Sequence, residues 1–286
     1  MKKLILTSIT FLSLIVSGHA QSHVWEVSKG DNKLYLGGTI HALRSTDFPL
    51  PKAYDQAFEK ADALVFETDM DALKDPEVVQ KMMTQGVYAD GSTLETKLKP
   101  ETYAEFKKVC ETMNIPVGMV HTFKPFMAVT MISMQKLMQL GFQPGGIDQF
   151  YFDKATTAQK KKLYFETPDE QITALLTSGE GNEDALILKS CDDLKNLETM
   201  INGMIEALKS GNTTVLTKEA LRTQKEYPSV YKTLLKDRND KWLAKIPSYV
   251  DSKEVELILV GALHLYGNDG LLEQLKKQGY QVTALN

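Results

Sequence analysis

Apolar and polar residues alternate at the start of the chain, as they do in half-buried β-strands. The segment HVWEVSKGDNKLYLGG alternates on both sides of a polar turn at 30–32, which predicts a hairpin whose second strand is Lys33–Leu36. Apolar runs predict three further strands, at 63–66, 162–165 and 254–261. A closing strand is expected near the end of the chain.

Helical periodicity separates these strands. Pro51 begins an amphipathic stretch, and residues 100–113 and 124–140 predict two longer helices. After the turn QPGG, the segment IDQFYFDKATTAQ predicts another helix directly before a strand. Helices and strands therefore alternate at both ends of the chain, which predicts an α/β fold with a mixed central sheet flanked by helices.

Residues 169–252 carry little strand pattern but several long amphipathic stretches, broken near Gly211 and Pro228. We expect an α-helical insertion there. The 266 residues of 21–286 are enough for one large core. We therefore predict a single domain at 21–286 that contains this insertion.

Four methionines of the helix predicted at 124–140 share one face, at spacings of four, three and four: Met127, Met131, Met134 and Met138. We favour a buried core helix as the explanation. A methionine surface that grips a flexible ligand is the alternative.

The amino terminus has the features of an export signal. Lys2 and Lys3 precede the apolar run LILTSITFLSLIV, and Gly18 and Ala20 are small residues of the kind that a signal peptidase accepts. We expect cleavage before Gln21, a periplasmic or secreted protein, and no stable membrane anchor afterwards. An uncleaved anchor is the alternative.

Charge narrows the class of partner. Removal of residues 1–20 leaves 31 basic and 37 acidic residues, a net charge of −6, and the densest basic run is only the three lysines at 160–162. No nucleic-acid or anionic-membrane partner is expected from this balance.

Cys110 and Cys191 lie in predicted helices. The sequence is compatible both with a disulfide between them and with two separately buried thiols.

Two pairs of similar sequences lie at the ends of predicted strands. GGTIH and VGALH place a Gly three residues before His41 and His264, and this Gly is expected to permit a sharp turn. LVFETD and LYFETPDE deliver Glu67 and Glu166 in the same way. Strand ends are where α/β folds bind ligands, so these four side chains are expected to converge. Two imidazoles with a carboxylate suit zinc, manganese, cobalt or ferrous iron.

Each of these residues also has a structural explanation. A His at a strand end is commonly a hydrogen-bonded residue, and Glu67 and Glu166 suit the positive end of a helix dipole. The zinc-protease motif His-Glu-x-x-His is absent from the chain.

The segments LGGTIHAL, VFETD, GGIDQFYF, LYFETPDEQ, DRND and ILVGALHLYG resemble successive motifs of the TraB/GumN family, to which the animal Tiki proteases are related. The resemblance covers 24–286. It implies a fold similar to the erythromycin esterase and ChaN group and a metal-dependent hydrolytic activity. By position, the resemblance also implies that five further residues occupy motif positions of the family: Gly38, Asp148, Arg238, Asn239 and Gly261.

With this resemblance, we expect an exported metalloprotease or related hydrolase that cuts peptide or amide bonds in a peptide or small protein. His41, His264 and Glu67 would hold zinc, manganese or cobalt and leave a position for water. Glu166 would take the proton of that water.

Arg238 and Asn239 would bind a substrate carboxylate or an oxyanion, with a solvated helix face as the alternative. Asp148 follows two glycines and is alternatively a helix cap.

Two other functions remain open from the sequence. One is a module that binds a peptide or pheromone without turnover, and the other is a protein that binds a metal or haem iron on the same fold. The substrate, the identity of the metal and the oligomeric state cannot be read from the residues.

Overall fold

The computed structural model describes residues 22–285, and the export signal expected in residues 1–20 lies outside them. Within this part of the chain, six strands form one mixed sheet and two form a separate short pair. The strands are β1 Val24–Lys29, β2 Asn32–Thr39, β3 Ala42–Leu43, β4 Ala63–Phe66, β5 Gln143–Pro144, β6 Lys161–Tyr164, β7 Glu256–Gly261 and β8 Gln281–Ala284.

The described residues also form fourteen α-helices, and a π-helical turn at Lys232–Lys236 joins the eleventh to the twelfth. The helices are α1 Lys52–Lys60, α2 Pro76–Gln85, α3 Leu94–Lys97, α4 Pro100–Thr112, α5 Pro125–Gln139, α6 Gly146–Thr157, α7 Pro168–Leu176, α8 Glu183–Lys195, α9 Leu197–Ser210, α10 Thr214–Glu226, α11 Pro228–Tyr231, α12 Asp237–Leu243, α13 Ile246–Val250 and α14 Leu271–Lys277.

The main sheet has the strand order β6-β4-β7-β2-β1-β8. Strands β6, β4, β7 and β2 are parallel, and β1 is antiparallel to both of its neighbours. In this register Thr39 lies opposite Gly261 and Phe66 lies opposite Leu259. The chain therefore leaves β2, β4 and β7 at the same edge of the sheet.

Helices cover both faces of the sheet. Leu64 and Leu257 belong to a core that they share with α1, α6 and α9. Val65 and Ile258 face the other way, into a core shared with α10, α12, α13 and α14. Neighbouring residues of a strand point to opposite faces, so fully apolar strands such as β4 and β7 need cover on both sides. A third core joins α3, α4, α5 and α8 away from the sheet.

The predicted α/β architecture is confirmed, and so is the hairpin, whose second strand is longer than predicted. The strand predicted at 162–165 begins and ends one residue earlier. Residues 168–250 are entirely helices and their connections, all within the described part of the chain. That this segment is an insertion stays a prediction, as do the domain bounds.

The prediction of a buried methionine stripe on α5 is wrong. Met127 is buried, but Met131 is 37% exposed and Met138 is 59% exposed. Met134 lines a cavity at the sheet edge. The helix packs on its neighbours with Met127, Ala128 and Ile132 instead.

Cys110 on α4 and Cys191 on α8 are buried free thiols in the same helical core. Burial raises the pKa of Cys110 to about 11 and that of Cys191 to about 12. Both therefore stay protonated at neutral pH, which disfavours a nucleophilic role. No helix in residues 22–285 combines the length and the apolar character needed to cross a membrane.

Candidate active site

Gly261, at the end of β7, marks the point where the candidate side chains meet. A Cβ atom at this position would lie 3.1 Å from His41 Nε2, 3.3 Å from Glu67 Oε1 and 3.6 Å from His264 Cδ2. The strand ends thus bring together three residues that are separated by up to 223 positions. Glycine is needed at 261 because any side chain would fill the space between them.

The glycines of the two His motifs serve close packing rather than the sharp turn that we expected. Neither Gly38 nor Gly261 has a positive φ angle. A Cβ atom on Gly38 would lie 2.9 Å from Leu265 Cδ1 and 3.3 Å from the Ala262 backbone. Gly38 therefore lets the loop that carries His264 pack directly on β2.

His41 is held by Asp148 of α6. Its Nδ1 donates to Asp148 Oδ2 at 2.8 Å, and Thr39 Oγ1 donates to Asp148 Oδ1, also at 2.8 Å. The carboxylate side chain is only 8% exposed, whereas the imidazole is 65% exposed. Asp148 raises the pKa of His41 to about 9, so the protonated ring is favoured at neutral pH. The Asp148 carboxylate therefore orients the ring through Nδ1, and the rest of the ring is exposed.

A glycine at the start of α6 brings Asp148 to this position. Gly146 has a φ of +48°, and a Cβ atom there would lie 1.8 Å from the Ile40 carbonyl oxygen. The same oxygen accepts a hydrogen bond from the Ile147 N–H at 3.0 Å. Only glycine allows α6 to begin against the backbone next to His41, with Asp148 in its first turn.

His264 is held by Asn239 of α12. The Asn239 amide nitrogen donates to the backbone oxygens of His264 and Asp269, at 3.0 and 2.9 Å, so its oxygen is the acceptor for His264 Nδ1 at 2.7 Å. The proton is thereby fixed on Nδ1, and Nε2 carries the lone pair. Burial lowers the pKa of His264 to about 3, which keeps the ring neutral.

Arg238, one residue before Asn239, lies between two carboxylates. Its Nη2 donates to Glu67 Oε2 at 2.7 Å and to Glu166 Oε2 at 2.9 Å, and its Nε donates to Glu166 Oε1 at 3.0 Å. The guanidinium carbon lies 4.7 Å from the centre of the Trp242 ring, whose Nε1 donates to Glu166 Oε1. The solvated helix face is thereby excluded, because Arg238 and Asn239 are both buried.

Glu67 accepts a second hydrogen bond, from the Gly261 N–H to Oε1 at 2.7 Å. Burial alone would raise the pKa of this carboxyl group. The Arg238 charge, the nearby imidazoles of His264 and His41 and the Gly261 N–H outweigh it and hold the pKa of Glu67 well below its usual range. Glu67 is therefore a carboxylate at physiological pH.

The donor chemistry of this cluster fits a divalent metal. Both imidazoles have Nδ1 bound to a polar partner, as ligating histidines usually do, and Glu67 Oε1 lies 4.0 Å from His264 Nε2. Arg238 Nη1 lies 3.3 Å from that same Nε2, so a metal there must displace this contact. As the side chains stand, residues 22–285 contain no three His, Cys, Asp or Glu groups close enough to hold a metal.

A cavity of about 360 Å³ opens onto this cluster. Of the residues predicted from the sequence, four line it: His41, Glu67, Asp148 and Arg238. The other lining residues include an apolar wall formed by Phe66, Met70, Leu73, Phe126, Met134 and Leu175. Glu166, Asn239 and His264 do not line the cavity. Glu166 and His264 contact its lining residue Arg238, and Asn239 contacts His264.

Sequence reasoning missed Thr39 and Trp242. Thr39 is the last residue of β2, two residues before His41, and both side chains bond to Asp148. Trp242 lies four residues after Arg238, on the same face of α12. Both spacings were readable from the sequence, but neither distinguishes these residues from ordinary core positions.

Comparison with known proteins gives a family and two relatives. The family model described as TraB/PrgY/gumN family matches residues 23–284. The chain is 23% identical to the uncharacterized protein YbaP of Escherichia coli strain K12 over 251 residues, which cover 86% of this chain and 89% of that protein. The protein of the same name in Shigella flexneri matches with the same identity and coverage. No solved structure matches the chain, so the similarity to the erythromycin esterase and ChaN fold stays a prediction.

Proposed function

The chain belongs to the TraB/PrgY/gumN family, and we propose that it is an exported metal-dependent hydrolase of peptide or amide bonds. One observation carries the proposal. His41, Glu67 and His264 surround a single point beside Gly261, next to a cavity that is open to solvent.

Export is inferred from residues 1–20 alone. A mature amino terminus at Gln21, found by mass spectrometry of protein from the native host, would support it.

His41, Glu67 and His264 are the residues that would hold zinc, manganese or cobalt. Such a metal would supply a Lewis acid and a bound water with a pKa lowered towards about 7. Asp148 and Asn239 keep the two imidazoles oriented, which is the usual task of the partners behind metal-ligating histidines.

Arg238 supplies a fixed positive charge to the cavity. Glu67 and Glu166 hold its guanidinium group through charge-assisted hydrogen bonds, so it needs no reorganisation when negative charge develops on a substrate oxygen. We therefore assign Arg238 to oxyanion or carboxylate binding.

Two residues receive roles different from those expected from the sequence. Glu166 does not line the cavity, and its oxygens accept from Arg238 and Trp242, so we assign it to positioning Arg238 rather than to accepting a proton from water. Asn239 does not line the cavity either, and its amide is fully used by His264 and Asp269. We assign it to positioning His264.

A peptide-binding module without turnover is the second candidate. It is favoured by the contact of Arg238 Nη1 with His264 Nε2, the nitrogen that a metal would need. In that function Arg238 would bind a peptide carboxylate, and the apolar wall would bind a side chain.

The experiment that separates the two uses purified residues 21–286. The protein is stripped with a chelator, reloaded with zinc, manganese or cobalt, and incubated with an unbiased peptide library, and new peptide termini are detected by mass spectrometry. The hydrolase predicts cleavage that requires metal, is lost in Glu67→Gln and persists in His121→Ala, whose imidazole bonds to the Gly118 carbonyl oxygen at the surface. Peptide binding without cleavage under every metal would favour the module.

A further inference from the structure

A second cavity, of about 220 Å³, lies among the helices next to the site. Helices α5, α8, α10 and α11 line it, together with the π-helical turn at Lys232–Lys236 and the 3-10 turn that carries His264. Phe126 on α5 lines both this cavity and the one at the sheet edge, so the two cavities adjoin at this side chain. We call the second one the helical cavity.

The helical cavity lies where separate cores meet. Four apolar side chains that line it are only partly buried: Phe126, Val129, Leu234 and Leu263. Phe126 packs on the small cluster around Ile172, Val129 on the core of α3, α4, α5 and α8, and Leu263 on the sheet core that includes α10 and α12. None of these cores fills the space between them. Voids larger than a water molecule are few in a close-packed domain, so this one calls for an explanation.

The charged side chains of the helical cavity, Lys189 and Asp193, are already paired. Lys189 Nζ lies 2.6 Å from Asp193 Oδ2 and 3.5 Å from Glu219 Oε1, and its side chain is only 12% exposed. Asp193 Oδ1 also accepts from Arg222 Nη2 at 2.7 Å. A charged ligand would lose its own water and compete with these pairs, whereas an uncharged ligand does neither. The charges therefore favour an uncharged ligand.

The volume sets the size of that ligand. An apolar cavity of roughly 150 Å³ is enough for benzene. Drug-sized ligands occupy roughly 300–1,000 Å³. A cavity of about 220 Å³ therefore fits a single substituted ring or a branched chain of similar size.

The helical cavity also reaches both segments that carry the site. Leu234 belongs to the π-helical turn, four residues before Arg238, and this turn leads directly into α12. Leu263 directly precedes His264. π-helical turns are rare and frequently occur at functional sites. A molecule in this cavity would therefore contact the two segments that place Arg238 and His264.

We propose that the helical cavity binds a compact, uncharged apolar molecule, and that its occupancy shifts the positions of Arg238 and His264. The molecule packs against Leu234 and Leu263 and so selects one arrangement of the two turns. Because Arg238 contacts His264, Glu67 and Glu166, a shift of either turn reaches the whole cluster. The helical cavity is thus a regulatory site, and its existence does not depend on the proposed function.

The test uses three molecules that share one ring: toluene, benzoate and benzylammonium. Each is titrated into metal-free residues 21–286, and methyl NMR of Val129, Leu234 and Leu263 reports binding in the helical cavity. Toluene should bind, and the two ions should bind at least tenfold more weakly, because they carry a charge into an apolar space. Unchanged methyl resonances under saturating toluene would overturn the site, and equal affinity for all three molecules would overturn the choice of an uncharged ligand.

Two variants change the volume in opposite directions. Val129→Phe fills the helical cavity and should weaken toluene binding at least tenfold, with the fold intact by circular dichroism. Leu234→Ala enlarges the cavity and should bind naphthalene at least tenfold more tightly than the wild type does. Val79→Phe is the matched control and should bind toluene as the wild type does, because Val79 is 38% exposed on α2 and lines neither cavity. Wild-type affinities in both volume variants would overturn the site.

The indole N–H of Trp242 reports the effect on the site, because it donates to Glu166 Oε1 beside Arg238. Saturating toluene should shift this resonance in the wild type but not in Val129→Phe. Trp25, the other tryptophan of the chain, is the internal control, since it lines neither cavity. A Trp242 resonance that does not move would overturn the regulatory role. No metal or peptide is present, so a failure of metal-dependent cleavage would remove the hydrolase and leave this inference standing.

Discussion

His41 and Asp148 lie 107 positions apart in the chain, and a hydrogen bond of 2.8 Å joins His41 Nδ1 to Asp148 Oδ2. The exposed ring is thereby oriented by a buried carboxylate that itself lines the cavity. Every role proposed for His41 depends on this pair, since it decides where the ring points and how readily it holds a proton.

Asp148→Asn tests that pair. The amide keeps a hydrogen bond to the ring but removes the charge that raises the pKa of His41 to about 9. The His41 pKa, measured by NMR titration of the metal-free protein, should fall towards the ordinary value of about 6.5. Metal affinity or activity should fall by roughly 10–100-fold, as for other lost partners of ligating histidines. A His41 pKa that does not change would show that Asp148 does not govern the ring.

Gly146→Ala tests how α6 reaches His41. The alanine Cβ would collide with the Ile40 carbonyl oxygen at a φ of +48°, so the start of α6 must move away from the site. We expect a loss of stability of about 1–3 kcal/mol or more and a loss of activity, measured by urea unfolding and by peptide cleavage.

Gly141→Ala is the matched control, because Gly141 also has a positive φ, of +83°, but no atom lies within 4 Å of its Cβ position. Gly141→Ala should lose only the stability that an alanine at a positive φ angle costs, and it should keep full activity. Equal effects of the two substitutions would contradict the claim that glycine is needed at 146 because α6 begins so close to the Ile40 carbonyl oxygen.

Gly261→Ala tests whether the space between the site residues is needed. Its φ is negative, so alanine is allowed by the backbone, but the Cβ atom would lie 3.1 Å from His41 Nε2 and 3.3 Å from Glu67 Oε1. We expect metal binding and activity to be lost while the thermal unfolding temperature changes little. Gly203→Ala, on the open side of α9, should leave metal binding unchanged.

The stability of the fold should fall in mild acid because of His23. Burial lowers the pKa of His23 to about 4, and its neutral ring bonds to Tyr266 Oη and to the Ala207 carbonyl oxygen. The unfolded chain binds a proton near pH 6.5 and the folded chain does so only near pH 4. Stability is therefore lost as the pH falls through this window, by an amount on the order of 3 kcal/mol.

His23→Gln checks this prediction, because it removes the titration. The free energy of unfolding is measured in urea at intervals from pH 7 to pH 4 for both proteins. The wild-type protein should lose about 3 kcal/mol more than the variant over this range. Parallel curves would contradict the assignment to His23.

The strands and the common edge were predictable because their signals are local. Apolar runs define β4 and β7, and parallel strands with helical connections put their carboxyl ends on one side. His41, Glu67 and His264 could therefore be grouped from the sequence.

The partners of these residues could not be derived in the same way. Asp148, Arg238 and Asn239 were named only through family resemblance, because their contacts join elements far apart in the chain. The exposed Met131 and Met138 show the same limit, since helical spacing indicates that residues share a face but not what covers that face.

The central claim is that His41, Glu67 and His264 form one metal site, and calorimetric titration of zinc and manganese into His264→Ala tests it most directly. His121→Ala is the control, since the His121 imidazole bonds to the Gly118 carbonyl oxygen at the surface. The account predicts that His264→Ala loses metal binding with its fold intact by circular dichroism, because one of three protein ligands is gone, while His121→Ala binds as the wild type does. Wild-type affinity in His264→Ala would contradict the account and leave the paired Gly-x-x-His motifs a structural role.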